Sequence, residues 1–272
     1  MSNPETPDPL GIIAGNGVYP RLLAEAARRA GVNKIVAAAF TDETDDRLAG
    51  LVDEINWMRV GQLAKLIASL RNAGVANAIM AGQIAPKNLF DLRPDWKTLL
   101  LLARLKRRNA ESIFAAIGDE LAGAGIRLLP ATTFLDDCLA PGGLIAGRKL
   151  SRREEEDVAF GFEIAREVSR LDIGQTVIVK NGTVLAVEGF EGTNEAIKRG
   201  GALGRKDAVM VKVAKPNQDM RFDVPVIGVA TIAVAAEAQL RIIAIEAGRT
   251  LLLEKQAVIS SAAAANISLV AR

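Results

Sequence analysis

Leu10-Gly-Ile-Ile-Ala14, running directly into Gly15-Asn-Gly-Val-Tyr-Pro20, decides how the first half of this chain folds. Five residues without a charge have the length of a buried strand, and the glycines after them mark a turn. Pro20 suits the first turn of a helix, which the apolar spacing carries to about Ala30. A strand passing through a short glycine turn into a helix is the opening unit of an α/β layer structure. The alternation then recurs: Lys34–Phe40, Ile55–Val60 and Ala78–Met80 read as strands, with a helix over Gln62–Ala73 between the last two. Ala81–Asp95 reads as loop with a short turn, helices follow near Trp96–Arg108 and Glu111–Ala124, and Ile126–Pro130 reads as a fifth strand. Residues 10–135 are therefore expected to form a Rossmann-like α/β domain with an open parallel sheet.

The Pro- and Gly-rich stretch 136–150 reads as a junction, and the pattern changes beyond it. Ser151, with Glu154 at the capping-box position, starts a long charged helix to about Leu171. Thr176–Val187 holds Asn181-Gly182 between two β-rich runs, the signature of a tight hairpin. Ala208–Val213, Val226–Val229, Arg241–Ile245 and Thr250–Glu254 are further strands, so 151–272 is expected to be a C-terminal α/β domain with a mixed sheet, carrying the main catalytic motifs. Residues 1–9 read as a flexible tail without the basic-then-apolar order of a signal peptide.

Composition narrows the chemistry. The 272 residues are 50% hydrophobic and 24% charged, with 34 basic against 32 acidic side chains, so no broad surface for nucleic acid is expected. Cys138 is the single cysteine, which excludes an internal disulfide or a CxxC site and points to the cytoplasm. No run of about 18 uncharged apolar residues suggests a membrane span. Histidine is absent, which removes Ser-His-Asp triads and HExxH zinc sites. Acid–base and metal chemistry must come from carboxylates, lysines, hydroxyls or a cofactor. Tyr19, Trp57 and Trp96 are the only Tyr or Trp residues, too few for a base-stacking platform.

Three segments carry the candidates. Gly15, Asn16 and Gly17 stand between strand and helix, where amides can meet a phosphate, and Gln83 follows the fourth strand at the same sheet edge. The glycine fingerprint is broken, since Pro20 takes the place of the third glycine. Glu188 and Glu191 precede Gly192, Thr193 and Asn194 at an expected helix start; the two acids suit a hard metal, a phosphate-bound water or helix capping. The densest segment is Val211–Gly228, where Lys212, Lys215, Gln218, Asp219, Arg221 and Asp223 fall within twelve residues. Two lysines and an arginine neutralise phosphoryl oxygens, and two aspartates ligate Mg²⁺ or accept a proton. Metal-assisted hydrolysis of a phosphate or pyrophosphate is the leading expectation. Gly118-Asp119-Glu120 inside a helical pattern leaves a packing reason and a ligand reason open.

Together LGIIAGNGVYP, GDEL, DIGQTVIVKNGTVLAVEGFEGTNEAI and VKVAKPNQDMRFDVPVIG resemble the UDP-2,3-diacylglucosamine pyrophosphatases of the LpxI type, from about Leu10 onward. The resemblance implies two α/β domains and Mg²⁺-dependent hydrolysis, with Mn²⁺ a substitute, in lipid A biosynthesis. Its substrate is UDP-2,3-diacylglucosamine, and its products are UMP and 2,3-diacylglucosamine 1-phosphate (lipid X). It implies water attack on the β-phosphorus and makes Asp223 the essential acid. Catalytic roles then fall to Asp223, Lys212 and Arg221, and metal ligation to Asp223, Asp219 and Glu188. Substrate contacts fall to Gly15, Asn16, Gly17, Gln83, Glu191, Gly192, Thr193, Asn194, Lys215 and Gln218. Glu120 and Asn194 stand where the family commonly has aspartate, and neither is given a metal role. A cytoplasmic protein with transient contact at the inner-membrane surface and a homodimeric state are the matching expectations. The competing readings are an NAD(P)-linked oxidoreductase with Asp42 as its ribose acid, and a non-catalytic nucleotide- or lipid-binding protein.

Overall fold

The computed structural model describes residues 6–84, 94–105, 110–216 and 218–272. Most of the Ala81–Asp95 loop, the 106–108 end of the expected third helix, the first five residues of the tail, and Asn217 lie outside the described residues. The chain divides into two compact units, Met1–Leu135 with Met220–Asp223, and Asp136–Asp219 with Val224–Arg272.

The first unit is built on five parallel strands, β1 (Leu10–Ala14), β2 (Ile35–Phe40), β3 (Glu54–Met58), β4 (Asn77–Ala81) and β5 (Arg127–Leu128). Their order is β3-β2-β1-β4-β5, with β1 and β2 buried along their whole lengths. Helices α1 (Tyr19–Arg29), α2 (Leu63–Asn72), α3 (Trp96–Arg104) and α4 (Ala110–Gly123) complete it. Side chains alternate across a strand, so Ile13, Val36, Ala38 and Phe40 join Leu66, Leu70, Leu101 and Leu121 in one core cluster. The polar tail of the sequence pattern shows at α3, where the N-cap Asp95 accepts from the Thr98 amide at 2.9 Å and from the Ala64 amide at 2.7 Å.

The second unit has a six-stranded mixed sheet of β6 (Gly143–Ala146), β7 (Thr176–Lys180), β8 (Thr183–Val187), β9 (Val209–Lys212), β11 (Ile242–Ile245) and β13 (Ser268–Ala271). The order is β6-β13-β11-β9-β7-β8; β10 (Val226–Ile227) and β12 (Leu251–Leu252) form a separate parallel pair. Val177, Val179, Val209 and Val211 pack on α5 (Arg152–Arg170), while Ile178, Met210 and Ile243 face the cluster holding α6 (Thr193–Gly204), α7 (Val229–Glu237) and α8 (Lys255–Ala264). Both faces are covered, which is why the β-rich runs are apolar on both sides. The hairpin turn is real: Asn181 and Gly182 have φ of 48° and 68°, and Asp157 of α5 accepts both their amides, at 2.8 and 2.7 Å. At its start α5 carries a reciprocal capping box between Ser151 and Glu154.

Three sequence expectations change. The 136–150 stretch contains an edge strand, β6, paired antiparallel with the unread β13. The expected strands at 226–229 and 250–254 are two-residue pieces outside the main sheet. Met220–Asp223, expected with the C-terminal domain, belongs to the first unit, held there by contacts too distant in sequence for local pattern to reveal.

Candidate active site

The strand order of the first unit reverses between β1 and β4, and open α/β sheets place ligands at the carboxyl ends of strands beside such a reversal. The loops after these two strands cross there. The Asn16 amide donates to the Gln83 carbonyl at 2.7 Å, the Gln83 amide returns to Asn16 at 3.2 Å, and the Gly15 amide reaches Ala81 at 2.8 Å. A Cβ on Gly15 would stand 2.5 Å from the Gln83 carbonyl oxygen. One on Gly82, whose φ is +93°, would stand 2.6 Å from that of Asn16. These glycines permit two backbones to cross, and the amides of Gly15 and Asn16 are committed to that crossing rather than open to a phosphate. Asn16, Gly17 and Gln83 are exposed on this ledge.

Behind it, Asn16 Nδ2 donates to Glu43 Oε2 at 3.3 Å, and Glu43 is buried. Sequence reasoning passed over Glu43 for its neighbour Asp42, which is exposed in a left-handed turn with φ 67°. Thr44 ties the same loop down by accepting from the Phe40 amide at 2.8 Å.

The 220–223 turn reaches this edge through Ala131, just beyond β5. The Tyr19 hydroxyl donates to the Ala131 carbonyl, and the Ala131 amide donates to Met220 at 2.7 Å. Phe222 packs into the first unit's core, its ring centroid 5.8 Å from that of Phe114 on α4. The Arg221 guanidinium lies 5.9 Å from the Phe222 ring, and one of its nitrogens sits 3.6 Å from where a Gly118 Cβ would be. An added Cβ at Gly118 would meet Leu128 and Arg221 only at ordinary van der Waals distances, so packing alone does not demand glycine there. Glu120 is an ion-pair acid, 2.5 Å from Lys97 and 3.9 Å from Arg104. Asp223 follows Phe222 at intermediate burial.

The second unit holds its own polar cluster. Glu188 immediately follows β8, Thr193 begins α6 and Lys212 ends β9. The Thr193 hydroxyl donates to Glu188 Oε1 at 2.7 Å, and Lys212 Nζ donates to that hydroxyl at 2.8 Å. Glu188 is 8% exposed and Lys212 7%, and this exchange compensates part of the cost of taking both charges out of water. Glu188 Oε2 and Thr176 Oγ1 are buried without a hydrogen-bond partner among the described residues. Thr176 stands directly opposite Lys212 in the β7–β9 register.

Glu191 has a different task. Its backbone amide comes first, then the Arg199 guanidinium and the Gly189 amide at 3.0 Å, and together they hold its carboxyl below the usual range. That acid braces the Gly189–Gly192 turn, and Gly192 takes φ +83° at the N-cap of α6, with Asn194 exposed one residue into it. The Lys215 amide donates to Gln218 Oε1 at 2.7 Å while the Lys215 ammonium pairs with Asp172. Gln218 Nε2 is buried without a partner among the described residues. Glu246, also missed in the sequence, is buried and accepts the Ala214 amide at 2.9 Å.

Among the described residues no three Cys, Asp or Glu side chains gather as a metal cage. The expected set of Glu188, Asp219 and Asp223 is divided, with Asp223 in the first unit and the others in the second. Glu188 already has Lys212 as counter-charge through Thr193. Mg²⁺ is commonly held by one or two carboxylates with substrate phosphates and water, a donor requirement that Asp223 and Asp219 can meet by type.

Residues 9–138 match the LpxI N-terminal domain and residues 141–270 the LpxI C-terminal domain. The UDP-2,3-diacylglucosamine pyrophosphatase LpxI of Caulobacter vibrioides is 33% identical over 266 residues, covering 93% of each chain. The biotin carboxylase domain of a single-chain bacterial carboxylase overlays 62% of this chain and 35% of its own at 17% identity and a TM-score of 0.28. The biotin carboxylase subunit of pyruvate carboxylase gives 66% and 35% at 15% identity and 0.27. Neither overlay bears on chemistry. Among the described residues no helix is long and apolar enough to cross a membrane. With both halves matched in order and a full-length relative at this identity, the chain belongs to the LpxI family.

Proposed function

We propose that this hydrolase cleaves the pyrophosphate bond of UDP-2,3-diacylglucosamine, releasing UMP and 2,3-diacylglucosamine 1-phosphate, in a Mg²⁺-dependent step of lipid A biosynthesis. The reading is supported by the name of the Caulobacter relative. The structural observation that carries it is the Tyr19–Ala131–Met220 connection, which attaches the acid-bearing turn to the sheet edge where Asn16 and Gln83 stand. Water oxygen bonds to the β-phosphorus, the bridging oxygen departs on UMP, and Asp223 accepts the water proton or ligates the metal. Arg221, Lys212 and Lys215 stabilise charge on phosphoryl oxygens. Asn16 and Gln83 contact substrate through their side chains, and Thr193 acts on Lys212. Mg²⁺, or Mn²⁺ in its place, supplies charge neutralisation and a more acidic water when bound, with Asp223 and Asp219 as the residues to hold it. The proposed compartment is the cytoplasm, at the inner-membrane surface.

The test is UMP release from UDP-2,3-diacylglucosamine in ¹⁸O-labelled water. We expect turnover with Mg²⁺, none in EDTA, recovery with Mg²⁺ or Mn²⁺, and label in the lipid phosphate. Full turnover after chelation removes the metal from the reaction, and label in UMP moves the attack to the α-phosphorus.

A further inference from the structure

Helix α3 carries two apolar faces. Inward, Thr98 and Leu101 are buried, and Leu101 and Leu102 pack on the first unit's core. Outward, Trp96 is 66% exposed, Leu99 55% and Leu100 48%, with Ala103 exposed beside them. These four sit at i, i+3, i+4 and i+7, so they form one continuous stripe on a helix whose opposite side already supplies all its packing. Scattered exposed leucines need no explanation, but a tryptophan and two leucines aligned on one face do.

The charges beside the stripe are mostly basic, with the acid Glu120 2.5 Å from Lys97 and 3.9 Å from Arg104. Lys97 and Arg104 flank it, the Arg104 side chain is 73% exposed, and the sequence from Asp95 to Arg108 holds five basic residues against one acid. A tryptophan and leucines on one face bordered by lysine and arginine is the composition of helices that lie in a membrane interface, with the apolar side among acyl chains and the cations among anionic headgroups. We propose that α3 is an interfacial helix that seats this protein on an anionic lipid surface. The inference rests on the reading of a lipid substrate, because such a substrate is a membrane amphiphile and the helix gives the enzyme a way to reach it.

The experiment uses the full chain with Trp57→Phe, so that Trp96 is the sole tryptophan emitter. Vesicles of phosphatidylcholine with and without phosphatidylglycerol are titrated at low and high salt. We expect a blue shift and quenching by brominated acyl chains with the anionic vesicles, weakened by salt and slight with phosphatidylcholine alone. Leu99→Ser/Leu100→Ser should lower vesicle partitioning about tenfold or more, with an unchanged circular-dichroism spectrum since both leucines are exposed. Equal binding to both vesicle types, or none, overturns the proposal. So does a dimer in sedimentation that the double variant dissociates, since the stripe then covers a second copy. A raised KM of the double variant for detergent-dispersed substrate with vesicle binding intact assigns the stripe to acyl-chain binding and overturns it as well. Vesicle binding without UMP release from any form of the substrate would sink the hydrolase reading instead, leaving the docking result standing.

Discussion

Lys212 donates to the hydroxyl of Thr193 at 2.8 Å, which fixes what that hydroxyl can do. Its proton goes to Glu188, and its lone pair receives the ammonium. Thr193→Val removes both bonds at once, and the buried groups left short of a partner cost about 1–3 kcal/mol. We expect a lower melting temperature together with a kcat loss greater than the rise in KM, because the ammonium is misplaced rather than absent. Thr193→Ser keeps the hydroxyl and should restore kcat. If valine and serine behave alike, the hydroxyl does not position Lys212.

Asp223→Ala is expected to lower kcat by about 100-fold or more while leaving the melting temperature near that of the parent. Phe222, in the core, anchors the turn beside it. Asp219→Ala is the comparison, and an equal effect there marks both as metal ligands. Near-normal kcat in Asp223→Ala removes it from the chemistry.

Glycine substitutions separate the crossing from the open turn. At Gly17 the φ is +92° but nothing lies within 4 Å of an added Cβ, so alanine meets only backbone strain of about 1 kcal/mol. At Gly15 the new carbon collides with backbone, and at Gly82 collision and positive φ coincide. Thermal unfolding should rank Gly82→Ala and Gly15→Ala as the more damaging, and a reverse order would show that the loops can part.

Acid should loosen the second unit at one identifiable place. The Arg148 guanidinium beside Glu154, helped by the Ser151 amide and hydroxyl, holds the Glu154 carboxyl down at about 2 from an ordinary 4.5. A folded value below the unfolded one stabilises the fold above pH 4.5, and that contribution is lost as pH falls toward 2. Glu154→Gln should therefore lower the melting temperature at pH 7 and converge with the parent only near pH 2. A gap that stays constant across this range would contradict the assignment.

Short-range rules made much of the fold readable. The strand at Leu10–Ala14, the helix cap at Ser151 and the hairpin at Asn181-Gly182 each declare themselves within a few residues. What escaped was what depends on distant partners. Gly143–Ala146 becomes a strand only because Ser268–Ala271 lies beside it, with an irregular register that blurs the alternation. Of the candidate residues, Lys212 and Thr193 stand together as a bonded pair, while Glu191 is paired with Arg199 and Lys215 with the sequence-distant Asp172. Glu43 and Glu246 lay hidden because one acid in a polar loop looks like any other until its burial is seen.

The four residues Met220–Asp223 also govern how the chain can be divided. They are borrowed from the middle of one folding unit to finish another, so a cut after Leu135 does not release two whole parts. The leading fragment would lack Phe222 against Phe114 and would expose that aromatic seat. Its trailing counterpart would carry a phenylalanine and an arginine with no seat of their own. Recombination between relatives at the apparent boundary thus mismatches a plug with its socket, and a chimera should recover stability only when residues 220–223 are taken from the same parent as the leading half.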